Sequence, residues 1–248
     1  MASFDRLSAL MSRFALGVEV VDQQAANLFV VDGPDGRAIW LRPKVQGLPE
    51  DIAGPVSFQA HVEFGGPDAP LAVALPELLV HPVADDKELA AVLGLMEAEV
   101  SARRCGGPSV LARLAEVLIV RLLRARLERG DVPRGMLGGL ADPRLARAFV
   151  VMHDRPGEAW SNDDLAHEAG MSRSRFLARF REAVGTSPQA YLRGWRLALA
   201  SQDVARGDRI DTVARRYGYG SGEALTHMFR RETGQAPITL RQGPVSLS

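Results

Sequence analysis

Ser174, Ala178 and Arg181 fall at four- and three-residue steps within AGMSRSRFLARFREAV (169–184). At 100° per residue they share one side of a helix, with the apolar stripe Phe176, Phe180 and Val184 turned the other way. These residue types suit contact with base edges. A serine hydroxyl bonds several of them, an alanine methyl meets a thymine methyl, and an arginine grips guanine or a phosphate. Arg175 and Leu177 flank this face, while Arg173 and Arg179 sit nearer the protein side, where phosphate contact or pairing within the molecule suits them. A second segment, GSGEALTHMFRRET (220–233), offers a comparable face. Its buried pair is Leu225 and Phe229, which turns Glu223, Thr226, His227 and Arg230 outward, with Ser221 and Gly222 at the helix start. A glutamate so placed accepts from cytosine N4.

Two such faces need scaffolds, and the chain carries one scaffold twice. LAHEAGMSRSRFLARFREAVGTSP (165–188) aligns with VARRYGYGSGEALTHMFRRETGQAP (213–237), Ala166 on Ala214, Gly170 on Gly218, Phe180 on Phe229 and Pro188 on Pro237. The offset is 48 residues before the turn and 49 after it, so the second turn is one residue longer. In each copy a small residue marks where two helices cross closely, and Gly170 or Gly218 permits the tight turn between them. Ser161 and Asp164 form a capping-box pair at the start of the first copy. Between the copies, PQAYLRGWRLALASQDVA (188–205) reads as one stiff helix burying Tyr191, Leu192, Trp195, Leu199 and Val204. Such a rod would hold two recognition helices about 34 Å apart, one turn of DNA.

The stretches GMSRSRFLARFREAVGTSPQAYLRGWRLALA and IDTVARRYGYGSGEALTHMFRRETGQAP closely resemble the DNA-binding domain of the AraC/XylS family of bacterial transcription regulators, over residues 142–242. The resemblance implies sequence-specific promoter binding through two helix-turn-helix units (162–184 and 210–233). It also implies an activator's partners, double-stranded DNA and RNA polymerase. The N-terminal domain of such regulators senses a small-molecule effector, mediates dimerisation, or both. The family often has arginine where this chain has Ala178 and His227, and phenylalanine where it has Leu225. Those departures imply less polar readout in the first unit and weaker binding by the second.

The N-terminal half changes period. GVEVV (17–21), NLFVV (27–31) and AIWL (38–41) are short β-type runs after an amphipathic helix at 4–14, and the turn composition DGPDG (32–36) joins the last two. VSFQAHVEF (56–64) alternates with Val56, Phe58, Ala60, Val62 and Phe64 on one face, a strand with one buried side. Helical spacing follows at 85–104, through Leu89, Val92, Leu93, Met96 and Val100, and again at 109–129 after the break GGP (106–108). The apolar surface of this αα-hairpin exceeds what a few strands need, so residues 85–129 are expected to pair with a second copy as a homodimer. Strands across 17–83 followed by the hairpin resemble a shortened cupin-type sensor domain. The expected fold class is therefore α+β. A small β-rich, partly cupin-like domain with an αα-hairpin (1–130) precedes a Gly- and Pro-rich linker (131–141) and an all-α double helix-turn-helix domain (142–242).

Charge fits that division. Residues 1–141 hold 14 Lys/Arg against 18 Asp/Glu, and residues 142–248 hold 16 against 12, within a chain whose net charge is zero. No apolar run is long enough to cross a membrane, and one cysteine, Cys105, leaves no disulfide framework or multi-cysteine zinc centre, so a reduced cytoplasmic protein is expected. His61 and Glu63 share a strand face, with His81 following, which invites a metal site. That face is the polar one and no His-x-His pair exists, so solvent exposure is the better expectation. Cys105, beside Arg103 and Arg104 in the glycine-rich loop, reads as a surface thiol without a base partner. No phosphate loop or nucleophile elbow occurs, and no catalytic residue, metal or cofactor is expected. The competing class is an interaction protein with this fold and little affinity for DNA.

Overall fold

The computed structural model describes residues 16–64, 70–84, 86–102, 104–130, 132–234, 236, 237 and 239. The helix expected at 4–14 lies outside the described residues. The chain divides into two compact units, with the boundary between Ala141 and Asp142.

In the first unit β1 (Gly17–Glu19), β2 (Leu28–Gly33), β3 (Gly36–Leu41), β4 (Val56–Glu63) and β5 (Leu79–Pro82) form an antiparallel sheet in the order β1-β4-β2-β3-β5. β4 alternates as its sequence dictates, with Phe58, Ala60 and Val62 buried and Ser57 and Glu63 exposed. β2 and β3 close a hairpin at Gly33 and Gly36, where Gly36 takes a φ of 103°. Asn27, just before β2, extends its pairing with β4 through its side chain. Its Nδ2 donates to the Val62 carbonyl (3.0 Å) and its Oδ1 accepts from the Val62 N–H (2.7 Å).

The helices are α1 (Pro70–Ala74), α2 (Lys87–Ala102), α3 (Gly107–Arg129) and α4 (Met136–Ala141). α2 and α3 pack as a hairpin through Leu89, Val92, Leu93 and Met96 on one side and Leu111, Ala115, Leu118 and Leu122 on the other. Gly106, at φ 83°, makes the break, and Cys105 beside it is exposed. Arg37 joins the hairpin to the sheet, pairing with Asp32 (2.7 Å) and with Glu97 of α2 (3.1 Å).

Three expectations change here. Val100 is exposed rather than part of the buried stripe. Residues 136–141 of the expected linker form α4, which buries Met136, Leu137 and Leu140 against α3; its glycines hid the apolar spacing. His81 is fully buried, not solvated. It lies on β5, a strand the apolar run LAVALPELLV (71–80) disguised, and its ring nitrogen lies 3.8 Å from Asp86, which caps α2 through the Leu89 N–H. Burial, reinforced by Arg129 and Arg126, holds its pKa below the ordinary value. His61 is half-buried, 3.7 Å from Glu63.

The second unit is helical: α5 (Leu145–Asp154), α6 (Asn162–Glu168), α7 (Arg173–Val184), α8 (Pro188–Ala205), α9 (Ile210–Arg216) and α10 (Gly222–Thr233). A cluster of aromatic rings lies in its core. Phe149 stacks on Phe180 (centroids 5.3 Å apart), both meet Tyr191, and His153 stacks on Trp195 (3.9 Å). The His153 Nε2 and the Tyr191 hydroxyl lie 2.8 Å apart. Burial pushes the His153 pKa down to about 3 and the Tyr191 phenol up.

Two outcomes follow. Asn27→Ala leaves the Val62 N–H and carbonyl unpaired in the core, and equilibrium unfolding should show a loss of about 1–3 kcal/mol. For His153 the unfolded imidazole takes up a proton near pH 6.5 while the folded one refuses it down to about pH 3. Stability therefore falls with pH across that window, by as much as ~1.4 kcal/mol per unit. The depressed carboxylates Asp142 and Asp164 add their losses only at more acid pH. Denaturation at pH 7 and pH 5 should show a shallower slope in His153→Gln than in wild type, the buried His81 adding the same amount to both. Equal slopes would refute the assignment.

Candidate nucleic-acid interface

The first candidate face stands on a helix-turn-helix built as its sequence predicts. α6 begins in a capping box: the Ser161 hydroxyl accepts from the Asp164 N–H (3.1 Å) and the Asp164 carboxylate accepts from the Ser161 N–H (2.9 Å). The turn passes through Gly170 at φ 63°, a conformation that disfavours side chains, and closes with the Met171 N–H on the Ala166 carbonyl (2.9 Å). α7 then buries Phe176, Phe180 and Val184, and that burial sets its rotation. Ser174, Ala178 and Arg181 are exposed, Arg175 is exposed beside them, and Leu177 is half-buried.

The arginines of α7 divide cleanly. Arg173 Nη1 lies 3.4 Å from Asp163, and Arg179 pairs with Asp142 (2.8 Å) and Glu182 (3.0 Å). Burial works against the Asp142 charge, but hydrogen bonds from Arg179 and from the Arg144 and Leu145 N–H groups outweigh it and hold the carboxyl below its usual range. Among the described residues Arg175 and Arg181 have no carboxylate partner. An open cleft of about 510 Å³ runs along α7 between Arg175, Ala178 and Arg179 on one side and Asp142 and Arg144 on the other.

The second unit repeats the turn, with Gly218 at φ 76° and the Tyr219 N–H on the Ala214 carbonyl (2.8 Å). The extra residue then places Ser221 as N-cap, its hydroxyl accepting from the Ala224 N–H (3.1 Å). Leu225 and Phe229 are buried, and Glu223, His227 and Arg230 are exposed. Arg230 also lacks a carboxylate partner among the described residues, whereas Arg231 pairs with Glu232. Two residues of the expected face stand differently. Gly222 is buried; its N–H donates to the Asp211 carboxylate (3.2 Å), and a Cβ there would strike the same group, so its role is to admit Asp211 rather than to meet a ligand. Thr226 is half-buried, with its hydroxyl donating to the Gly222 carbonyl (2.8 Å). Asp142, Asp163 and Asp211 went unnoticed in the sequence because each acts on a residue ten or more positions away, beyond any helical period.

Among the described residues no group of three His, Cys, Asp or Glu could hold a metal ion, and no helix is long and apolar enough to cross a membrane. Residues 165–243 match a family model described as a helix-turn-helix domain, and residues 21–128 match one described as a cupin. An AraC-like transcription regulator of Streptomyces antibioticus is 34% identical over 85% of this chain and 72% of its own length. One of Streptomyces lividans is 36% identical over 67% of this chain and 56% of its own, so the chain spans between about half and three quarters of these relatives. A crystal structure of an AraC-type DNA-binding domain protein from Chromobacterium violaceum is 27% identical, over 42% of this chain and 97% of that one, with a TM-score of 0.39. The chain belongs to the AraC family of DNA-binding transcription regulators, a family of regulators rather than enzymes, and joins a cupin domain to paired helix-turn-helix units.

Proposed function

We propose that α7 and α10 enter successive major-groove segments of a promoter and that the N-terminal unit dimerises the protein and senses a small-molecule effector. In this reading Ser174, Ala178 and Arg181, flanked by Arg175 and Leu177, read the first segment. Glu223, His227 and Arg230 read the second, with Ser221 and Thr226 at its edge. Arg173 and Arg179 brace α7 through their carboxylates. RNA polymerase is the partner a promoter-bound activator would recruit. One observation carries most weight: Arg181 and Arg230 occupy equivalent positions in the two copies, and both are exposed without a carboxylate partner among the described residues. Dimerisation through the helical hairpin is supported by Leu95, Val100, Val110 and Val117, apolar side chains left exposed along α2 and α3.

Arg181→Ala and Arg230→Ala should each weaken operator binding by about 1–3 kcal/mol if they grip a base. If they neutralise a phosphate, the slope of log K against log salt should instead become shallower by about 1. Glu223→Ala should alter preference at one base pair with little change in salt slope. Gel-shift titrations across salt concentrations measure all three; unchanged affinity and preference would sink the face assignment. No shift by the wild-type protein at low salt would favour the interaction-protein reading. For the hairpin, Val117→Lys combined with Leu95→Lys should move the protein from dimer to monomer in sedimentation velocity. A wild-type monomer at micromolar concentration would exclude this surface as a dimer contact.

A further inference from the structure

The loop leading into the first helix-turn-helix unit touches the turn of the second through bare backbone. Gly157, in the loop between α5 and α6, lies against the turn of the second unit. A Cβ on Gly157 would collide with the Arg216 carbonyl oxygen, and one on Gly218 would lie 2.5 Å from the Gly157 carbonyl oxygen. Gly218 also needs its left-handed φ for the turn. Gly157 has no positive φ, so its neighbour, and not its own conformation, demands glycine there.

The connector α8 fastens both partners of this contact. Near its middle, Arg196 reaches back to the first unit's loop, Nε donating to the Pro156 carbonyl (2.5 Å) and Nη2 to the Glu158 carbonyl (2.5 Å), on either side of Gly157. Near its end, Asp203 accepts from the Tyr217 hydroxyl (2.6 Å) and from Arg216, which also pairs with Asp208 (2.8 Å). Loop, connector and second turn thus form a closed triangle, and its third side is the glycine contact. α9 also packs on α8, but only the glycine contact holds the second turn directly against the loop that precedes α6.

We propose that the Gly157–Gly218 contact is a specificity-determining element that fixes α10 relative to α7 and so sets the number of base pairs tolerated between the two segments read. This rests on the reading that both helices enter DNA. One base pair more or less moves the second segment by about 3.4 Å and rotates it by roughly a tenth of a turn. A triangle closed by backbone contact does not follow such a move; an opened one does. Glycine at 157 is thereby a positioning residue that needs no contact with DNA.

The test uses the full chain and an operator selected by the wild-type protein from a random duplex library. The intervening sequence is then lengthened or shortened by one base pair. The wild-type protein should bind one spacing and discriminate against its neighbours. Gly157→Ala should keep its affinity for a duplex carrying the first segment alone and lose about tenfold or more of that discrimination. Gly194→Ala, on α8 where a Cβ meets nothing within 4 Å, should behave as wild type. Asp203→Asn opens the triangle from a different side and should relax spacing likewise, which keeps the question decidable if Gly157→Ala does not fold. Wild-type discrimination in folded Gly157→Ala, or in Asp203→Asn if the first variant fails to fold, overturns the inference alone. A wild-type protein that selects no operator, or is indifferent to the second segment, overturns the two-helix reading and this inference with it.

Discussion

The packing of Phe180 between Phe149 and Tyr191 decides which way α7 faces. α7 has only three apolar anchors in twelve residues, and burying them leaves one rotation about its axis. Each buried phenylalanine contributes on the order of 1.5–3 kcal/mol, enough that no surface contact on α7 competes. The same aromatic cluster dictates what polar groups it can hold. His153 sits inside it stacked on Trp195, and a charged imidazole there would lose its hydration without a counter-ion, so it stays neutral beside the Tyr191 hydroxyl.

The second unit is fastened by different physics. α10 has a shorter apolar anchor, Leu225 and Phe229, and beside the packing of α9 on α8 the unit has a polar tie to that helix: Asp203, nearly buried, between Tyr217 and Arg216. Hydrogen bonds to a charged group contribute about 1.5–3 kcal/mol, comparable to an apolar anchor, but they depend on direction where packing depends mostly on area. The two units also differ at the first residue of α7 and of α10. Arg173 at that position pairs with exposed Asp163, a contact that salt screens, whereas the equivalent Gly222 is locked to Asp211 through its backbone N–H.

Much of this was legible in the sequence because it follows from periodicity and local chemistry. The alternation of β4, the Phe176–Phe180–Val184 stripe, the Ser161–Asp164 capping box and the repeated turn glycines each depend on neighbours within a few residues. What stayed hidden depends on contacts across the fold. His81 reads as polar until β5 is known to run beside Asp86, at the start of α2, and Arg126 of α3. α4 carries two glycines and so hides its apolar face. Gly157 looks like a loop glycine, and only the approach of Arg216 shows why a side chain is excluded.

A chain with zero net charge, and a C-terminal half with only 16 Lys/Arg against 12 Asp/Glu, has little long-range pull on a polyanion. The structure resolves this by spending its carboxylates locally. Asp142, Asp163, Glu182, Asp203, Asp208 and Glu232 hold Arg173, Arg179, Arg216 and Arg231, while on α7 and α10 Arg175, Arg181 and Arg230 stand exposed without such partners among the described residues. A small net charge makes for a weak long-range pull, and the pairing on α7 and α10 leaves only these arginines of the two helices free to release counterions. On the proposed reading, specific affinity comes from base contacts made by both helices together. That places the burden on their relative geometry, and the backbone contact at Gly157 is where the fold meets it.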